Sequence, residues 1–343
     1  MAENAMDQIV AELRQIAPAT YPERGELRNV RVVGHTPKTG HYIYDIVVDF
    51  AGGSERLAAK IYRPGKNGAA LVKASAQGEL SNLAAVYKIF DKKKLKGVPR
   101  PVGNFTELGA VVAEKFSGLS LQSIVMKAAL LPGFDDRGGL ALTAQRTGEW
   151  LRSFHKATAE MPSPFNADGL LTELEQLCTS CRSEGLEDGD VRVIMSGARN
   201  VLQRSKKSLS TSAVLNDFTP LSVIIGEEGI GFCDFARMTA RGTSFFDVAM
   251  FLASVEALEK YPFCNRAITT EIQRNFLDAY GASASDLAVL KVLKMKALLG
   301  MFANGRNVKA TAVRKKVMWA TVMKRFIQQA AQRSLAPAEA RAA

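Results

Sequence analysis

The sequence predicts an α+β protein in two parts, a small antiparallel β-rich front and a larger, mainly helical back. Three observations carry this expectation. Apolar residues alternate with period two through residues 28–63. Beyond Gly118 the apolar spacing becomes mainly helical. At 343 residues the chain is too long for one small core. The joint between the parts is expected near residues 114–118, dividing the chain into 1–115 and 116–343.

In order along the chain, residues 7–16 read as a short amphipathic helix stopped before Pro18. Three strands follow, with Val30 and Val32, then Tyr42, Tyr44, Ile46 and Val48, then Leu57, Ala59 and Ile61 each marking one face. Turns are expected at residues 37–40 and 52–54. Residues 76–92 read as a helix with Leu80, Leu83, Ala84, Tyr87 and Phe90 on one side. Short strands are expected near 100–105 and 109–116. Helices then cover 143–157, 170–182 and 191–209. Two β-like runs, 223–226 and 230–233, precede further helices beginning near residues 246, 268, 286 and 309.

Hydrophobic residues make up 47% of the chain and charged residues 23%, as in ordinary globular proteins. No apolar run reaches the roughly 20 residues needed to span a bilayer. Glu3, Asp7 and Glu12 make the start unlike a signal peptide, so a cytoplasmic protein is expected. Cys178 and Cys181 form a lone C-x-x-C, with Cys233 and Cys264 elsewhere. The histidines, His35, His41 and His155, supply no second ligand pair, so the cysteines read as reduced thiols rather than a zinc site.

The net charge of +11 is unevenly placed. Residues 291–343 hold 12 Lys or Arg against one acid, Glu339, which leaves bases and acids balanced elsewhere. Residues 288–303 and 308–332 read as two helices broken at Asn304 and Gly305. In the second, Trp319, Met323, Phe326 and Ala330 form an apolar stripe, while Arg314, Lys315, Lys316, Lys324 and Arg325 lie elsewhere. No zinc finger, RNA-recognition strand or aromatic interleaving accompanies these cations, so a nucleic-acid partner is not expected.

Candidate chemistry lies in three places. Lys60 sits in the apolar strand Leu57-Ala58-Ala59-Lys60-Ile61; pointing inward, it would need a carboxylate, and Glu79 at the start of the next helix can supply one. The bland alternative is a lysine facing water from an edge strand. Asp217 lies in a loop before the apolar run 223–226, and Asp234 follows the run 230–233. Such acids can orient a hydroxyl or hold Mg²⁺; the alternative is a pair of turn-forming aspartates.

The run Asn216-Asp217-Phe218-Thr219-Pro220, followed by Cys233-Asp234-Phe235, resembles the catalytic and metal-binding loops of the aminoglycoside phosphotransferase and choline kinase-like family. Gly242 with Asp247-Val248-Ala249 is similar to another of its segments, Trp150 to His155 to its histidine-ended helix, and residues 57–61 to its nucleotide-lysine strand. The ordered set spans roughly residues 30–280. The resemblance implies a bilobal protein kinase-like fold, with a small antiparallel β-rich N-lobe and a larger mainly helical C-lobe.

It also implies ATP and Mg²⁺, with Lys60 on the α- and β-phosphates and Glu79 paired to it. Asp217 would be the base or hydroxyl-orienting group, and Asp234 and Ser222 the metal ligands. Glu114 and Phe116, in segment 113–116, would meet adenine through the backbone, residues 34–40 would cover the phosphates, and Asp247 would be structural. Two positions depart from the family. Leu215 stands where it has a loop-bracing histidine, and Ser222 where it has a metal-binding asparagine.

The resemblance implies an alcohol-group phosphotransferase or, given Leu215 and Ser222, an impaired pseudokinase that binds nucleotide or regulates. The basic C-terminal segment points to an anionic small-molecule or glycan acceptor, or to one presented at an anionic membrane surface, with the protein peripheral at its inner face.

Overall fold

The computed structural model describes residues 2–38, 40–64, 68–131, 133, 136–203, 208–227, 229–261, 263–305 and 319–335. The chain divides into two compact units. The first comprises Met1–Leu119 and Ile224–Ala240, and the second Ser120–Val223 and Arg241–Ala343.

The first unit opens with α1 (Ala2–Thr20), which runs through Pro18 instead of stopping before it. A proline in the last turn forfeits one intrahelical bond and leaves most of the helix intact. Strands β1 (Leu27–Pro37), β2 (His41–Phe50) and β3 (Gly53–Tyr62) follow, then α2 (Gly68–Lys92) and β4 (Ala110–Glu114). They form an antiparallel sheet of order β1-β2-β3-β4, so β3 is an interior strand. The run near 100–105 contributes only a bridge between Pro101 and Ala113.

The apolar face foreseen on β2 and β3 is the one that α1 covers. Ile9, Leu13, Ala17 and Tyr21 pack with Ile46, Val48, Leu57, Ala59 and Ile61. Val32 departs from this pattern and is exposed, because β1 changes register between Val32 and Gly34. On α2 the buried stripe is Ala76, Glu79, Leu83, Val86 and Phe90, which shares Leu83 and Phe90 with the one read from the sequence, while Leu80 and Tyr87 are half-buried. Ala84 is exposed, because the helix is rotated so that the carboxylate of Glu79 faces inward.

After the two-residue β5 (Leu119–Ser120), the second unit contains α3 (Leu121–Leu130), α4 (Arg137–Ala157), β6 (Glu160–Pro164), α5 (Ala167–Arg182), α6 (Asp188–Leu202) and β7 (Ser208–Val214). Leu209, expected in a helix, lies on β7, which forms a sheet of order β10-β7-β6. β8 (Val223–Gly226) and β9 (Gly229–Phe232) return mainly to the first unit, and β10 (Thr239–Thr243) leads back out. Three helices follow: α7 (Phe245–Glu256), α8 (Arg266–Tyr280) and α9 (Ala284–Gly305). The expected helix over 308–332 is described only from residue 319: a π-helical turn, Trp319–Met323, enters α10 (Lys324–Leu335). Met323, Phe326 and Ala330 are buried; the Trp319 side chain lies outside the described residues, as do Arg306, Lys309, Arg314, Lys315, Lys316, Glu339 and Arg341.

Among the described residues, no helix is long and apolar enough to cross a membrane. Cys178 and Cys181 are buried free thiols on α5, and burial pushes them up to about 11 and about 12.

Close packing of α4 on α8 needs a residue without a side chain. A Cβ at Gly148 would lie 2.4 Å from the Phe276 carbonyl oxygen. Gly148→Ala should therefore force these helices apart and cost about 1–3 kcal/mol, read as a lowered thermal midpoint.

Candidate functional site

Strand alternation turns Lys60 away from the α1-covered face and toward α2. Its Nζ donates to Glu79 Oε1 at 2.9 Å and to Asp234 Oδ1 at 3.1 Å. The edge-strand alternative for Lys60 is excluded, because β2 and β4 flank β3. The Lys60 side chain is 14% exposed and that of Glu79 4%. Burial works to lower the Lys60 pKa, but the two carboxylates outweigh it and raise it, so the amine stays protonated. Tyr62, two residues on and on the same face, donates its hydroxyl to Glu79 Oε2 at 2.5 Å.

Asp234 follows β9 in a turn. Its Oδ1 also accepts from the Ala236 N–H at 3.3 Å. Phe232 and Phe235, both fully buried, meet edge to face with centroids 5.3 Å apart and anchor the turn on either side of the acid.

Two backbone N–H groups of the expected adenine segment bond within the first unit. The Glu114 N–H donates to Arg100 O at 2.9 Å and the Lys115 N–H to Arg56 O at 2.8 Å. The Glu114 carboxylate accepts from the Tyr21 hydroxyl at 3.1 Å. The segment expected over the phosphates, residues 34–40, is strand as far as Pro37, and the Lys38 N–H donates to His41 O at 2.9 Å. Thr39 lies outside the described residues.

In the second unit, Asp217 is partly buried and follows β7. Asn216, just before it, holds φ +60°, a left-handed conformation that asparagine tolerates better than most residues. Phe218 is buried and stacks on Trp150, with centroids 5.8 Å apart. Phe251 and Phe276 extend that aromatic cluster. Ser222 lies in the turn before β8, where its N–H donates to Thr219 O at 3.0 Å.

The loop that carries Leu215 is held through its backbone. Leu215 fills the core, while Asp247 holds the backbone. The Leu215 N–H donates to Asp247 Oδ2 and the Asn216 N–H to Oδ1, each at 2.8 Å. His155 Nε2 lies 3.1 Å from Asp247 Oδ2, and its Nδ1 lies 2.9 Å from the Tyr280 hydroxyl. All four groups are satisfied when Nε2–H donates to Asp247 and Nδ1 accepts from Tyr280.

Sequence reasoning missed Tyr62, His41 and Asn82. Tyr62 had a usable signal, since it shares the Lys60 face of β3. Asn82 lies one helical turn after Glu79, and its Nδ2 donates to Phe235 O at 3.0 Å and Met238 O at 3.1 Å. Neither of these acceptors is a side chain, so only the fold could reveal that contact. His41 begins β2, pairs in register with Tyr62, and is held near pKa 4 by burial and then by the Lys60 charge.

No protein-family model matches the chain, and no curated protein does. Solved structures do. A glucosamine kinase in complex with glucosamine, ADP and inorganic phosphate superposes with a TM-score of 0.51 at 16% identity, covering 91% of this chain and 96% of that one. A choline kinase from Cryptosporidium parvum gives 0.55 at 11% identity, covering 96% of each. A thermostable mutant of an aminoglycoside phosphotransferase, in ternary complex with AMP-PNP and hygromycin B, gives 0.54 at 13% identity, covering 92% and 97%. The chain thus has the protein kinase-like fold of these enzymes, in line with the resemblance read from its motifs.

Two outcomes test this geometry. Asp247→Ala leaves two inward backbone N–H groups without an acceptor, and should cost roughly 2–4 kcal/mol in urea denaturation. A histidine whose pKa is depressed on folding stabilises above its unfolded value and less below it. Because His41 is held near 4, wild-type stability should decline between pH 6.5 and 4. His41→Gln should remove part of that decline, seen by comparing denaturation midpoints of the two proteins at pH 7 and pH 5.

Proposed function

We propose that the protein is an ATP-dependent, Mg²⁺-requiring phosphotransferase that phosphorylates a hydroxyl of a small molecule or glycan. The observation that supports it most is the Lys60 amine, kept cationic by Glu79 and Asp234 on an interior strand. Phosphoryl transfer depends on such positioned charge more than on covalent chemistry. The likeness to kinases solved with glucosamine and with hygromycin B supports a small polar acceptor.

In this reading residues 1–115 form the nucleotide-covering lobe and residues 116–343 the lobe that carries the catalytic loop and the acceptor determinants. Lys60 binds the α- and β-phosphates, and Glu79 sets its position. The adenine edge offers a donor beside an acceptor. The Glu114 carbonyl and the Phe116 N–H, two residues apart, are the backbone groups assigned to it. Asp217 orients the acceptor hydroxyl and takes its proton. Asp234 and Ser222 are hard oxygen donors that suit Mg²⁺ alongside phosphate oxygens and water. The ion would neutralise charge on the phosphates.

The case for an anionic or membrane-presented acceptor is narrower than the charge count suggests. Lys294 pairs with Glu256 and Lys296 with Glu173, Lys324 meets Glu187 at 2.7 Å, and Arg333 meets Glu259 at 2.8 Å. These cations neutralise acids of the second unit. An anionic acceptor or membrane surface would instead draw on the exposed Lys291 and Arg325, and on Arg306, Lys309 and residues 314–316, which lie outside the described residues.

Transfer from ATP to pooled sugars, amino sugars and amino alcohols tests the proposal. Asp217→Asn should lower turnover about 10²–10⁴-fold without shifting the thermal midpoint, and Lys60→Met should weaken nucleotide binding. Retained turnover in Asp217→Asn would remove that residue from its role. The impaired-module reading, which Ser222 favours, predicts no transfer by the wild type and a gain in Ser222→Asn.

A further inference from the structure

Glu79 and Asn82 are three residues apart on α2, and therefore neighbours on one face. Glu79 holds the Lys60 amine. Asn82 reaches the turn that directly follows Asp234, residues 235–238. Its amide nitrogen has two hydrogens and faces two backbone carbonyls, Phe235 O at 3.0 Å and Met238 O at 3.1 Å. That arrangement fixes the amide orientation, since the opposite one would set three oxygens against each other. The turn is closed on itself as well: the Met238 N–H donates to Phe235 O at 3.2 Å, and the Ala236 N–H to Asp234 Oδ1. Asn82 thus grips the two ends of a four-residue turn whose start positions the Asp234 carboxylate.

We propose that Asn82 is a positioning residue that ties the Asp234 turn to α2, so that one helix sets both the lysine that binds phosphate and the carboxylate that binds metal. The inference rests on the phosphotransferase reading for the role of Asp234, but the tether itself does not. A shift of α2 would withdraw Glu79 from Lys60 and release the turn together. The two halves of the first unit's charge cluster therefore form or fail as one. The lysine pair alone does not require this, because the Asp234–Lys60 contact would survive a free turn in some of its conformations.

The test uses the full chain, wild type and Asn82→Leu, with Asn82→Ser carrying the same measurements should the leucine variant fail to fold. Hydrogen exchange on the ligand-free protein reads the tether, and the amides of Ala236 and Met238 should exchange faster in the variants. Titration with ATP, in MgCl₂ and in EDTA, reads the positioning role. Outer-shell partners of a metal ligand typically change affinity about 10–100-fold. The Mg²⁺ concentration for half-maximal ATP binding should accordingly rise about tenfold, with affinity in EDTA nearly unchanged. Unchanged exchange overturns the tether. Faster exchange with unaltered Mg²⁺ dependence, or with equal weakening in EDTA, overturns the positioning role and leaves a structural contact. A wild type that binds ATP identically with and without Mg²⁺ overturns the metal reading of Asp234 and the positioning role with it, while the exchange result still decides the tether.

Discussion

An amine on the inner strand of a sheet cannot remain charged unless carboxylates come to it, because an unpaired buried charge costs far more than any single packing contact returns. Lys60 imposes that constraint on the first unit. β3 lies between β2 and β4, so the side chain has no route to water along a sheet edge. The helix that follows is turned so that its buried stripe includes a glutamate. The segment 224–240, more than 100 residues later in sequence, folds into the same unit and brings the second carboxylate. Tyr62 then caps the far oxygen of Glu79, leaving neither carboxylate oxygen of that residue idle.

The second unit solves the mirror problem, a buried anion. The Asp247 carboxylate is fully inside and meets two backbone N–H groups and an imidazole. Such donors stabilise a carboxylate through hydrogen bonds aimed at its oxygens. Their geometry in turn fixes the conformation of residues 215–217, the left-handed Asn216 included. An apolar residue at position 215 is therefore compatible with a held loop, because the backbone N–H groups of residues 215 and 216 are anchored whatever the side chain at 215. In both units the acid of interest is followed directly by a buried phenylalanine, Phe218 or Phe235, so each loop is anchored by packing while its carboxylate stays at least partly accessible.

Much of the fold was legible because burial leaves a periodic trace. The α1-covered faces of β2 and β3, and most helices of the second unit, are legible from spacing alone, and the rule that a buried cation needs an anion offers Glu79 to Lys60 while leaving a water-facing edge-strand lysine open. Elements with weak periodicity were not legible. β6, the five residues Glu160–Pro164, has two prolines and little apolar content, and the start of β7, through Leu209, falls within the run 191–209 whose spacing is helical. Pro18 misled for a different reason: a proline is a stop signal only where the bond it removes matters.

The sequence by itself determined most of the buried faces, where the β-rich part gives way to a mainly helical one, and that a buried amine would need an acid. Only the tertiary structure decided which partners they received. Asn82 donates to main-chain carbonyls and Asp247 accepts from main-chain amides, and every residue type carries those groups. A hydrogen bond to the backbone leaves no mark on the identity of the residue it reaches, so it becomes visible only when the chain is folded.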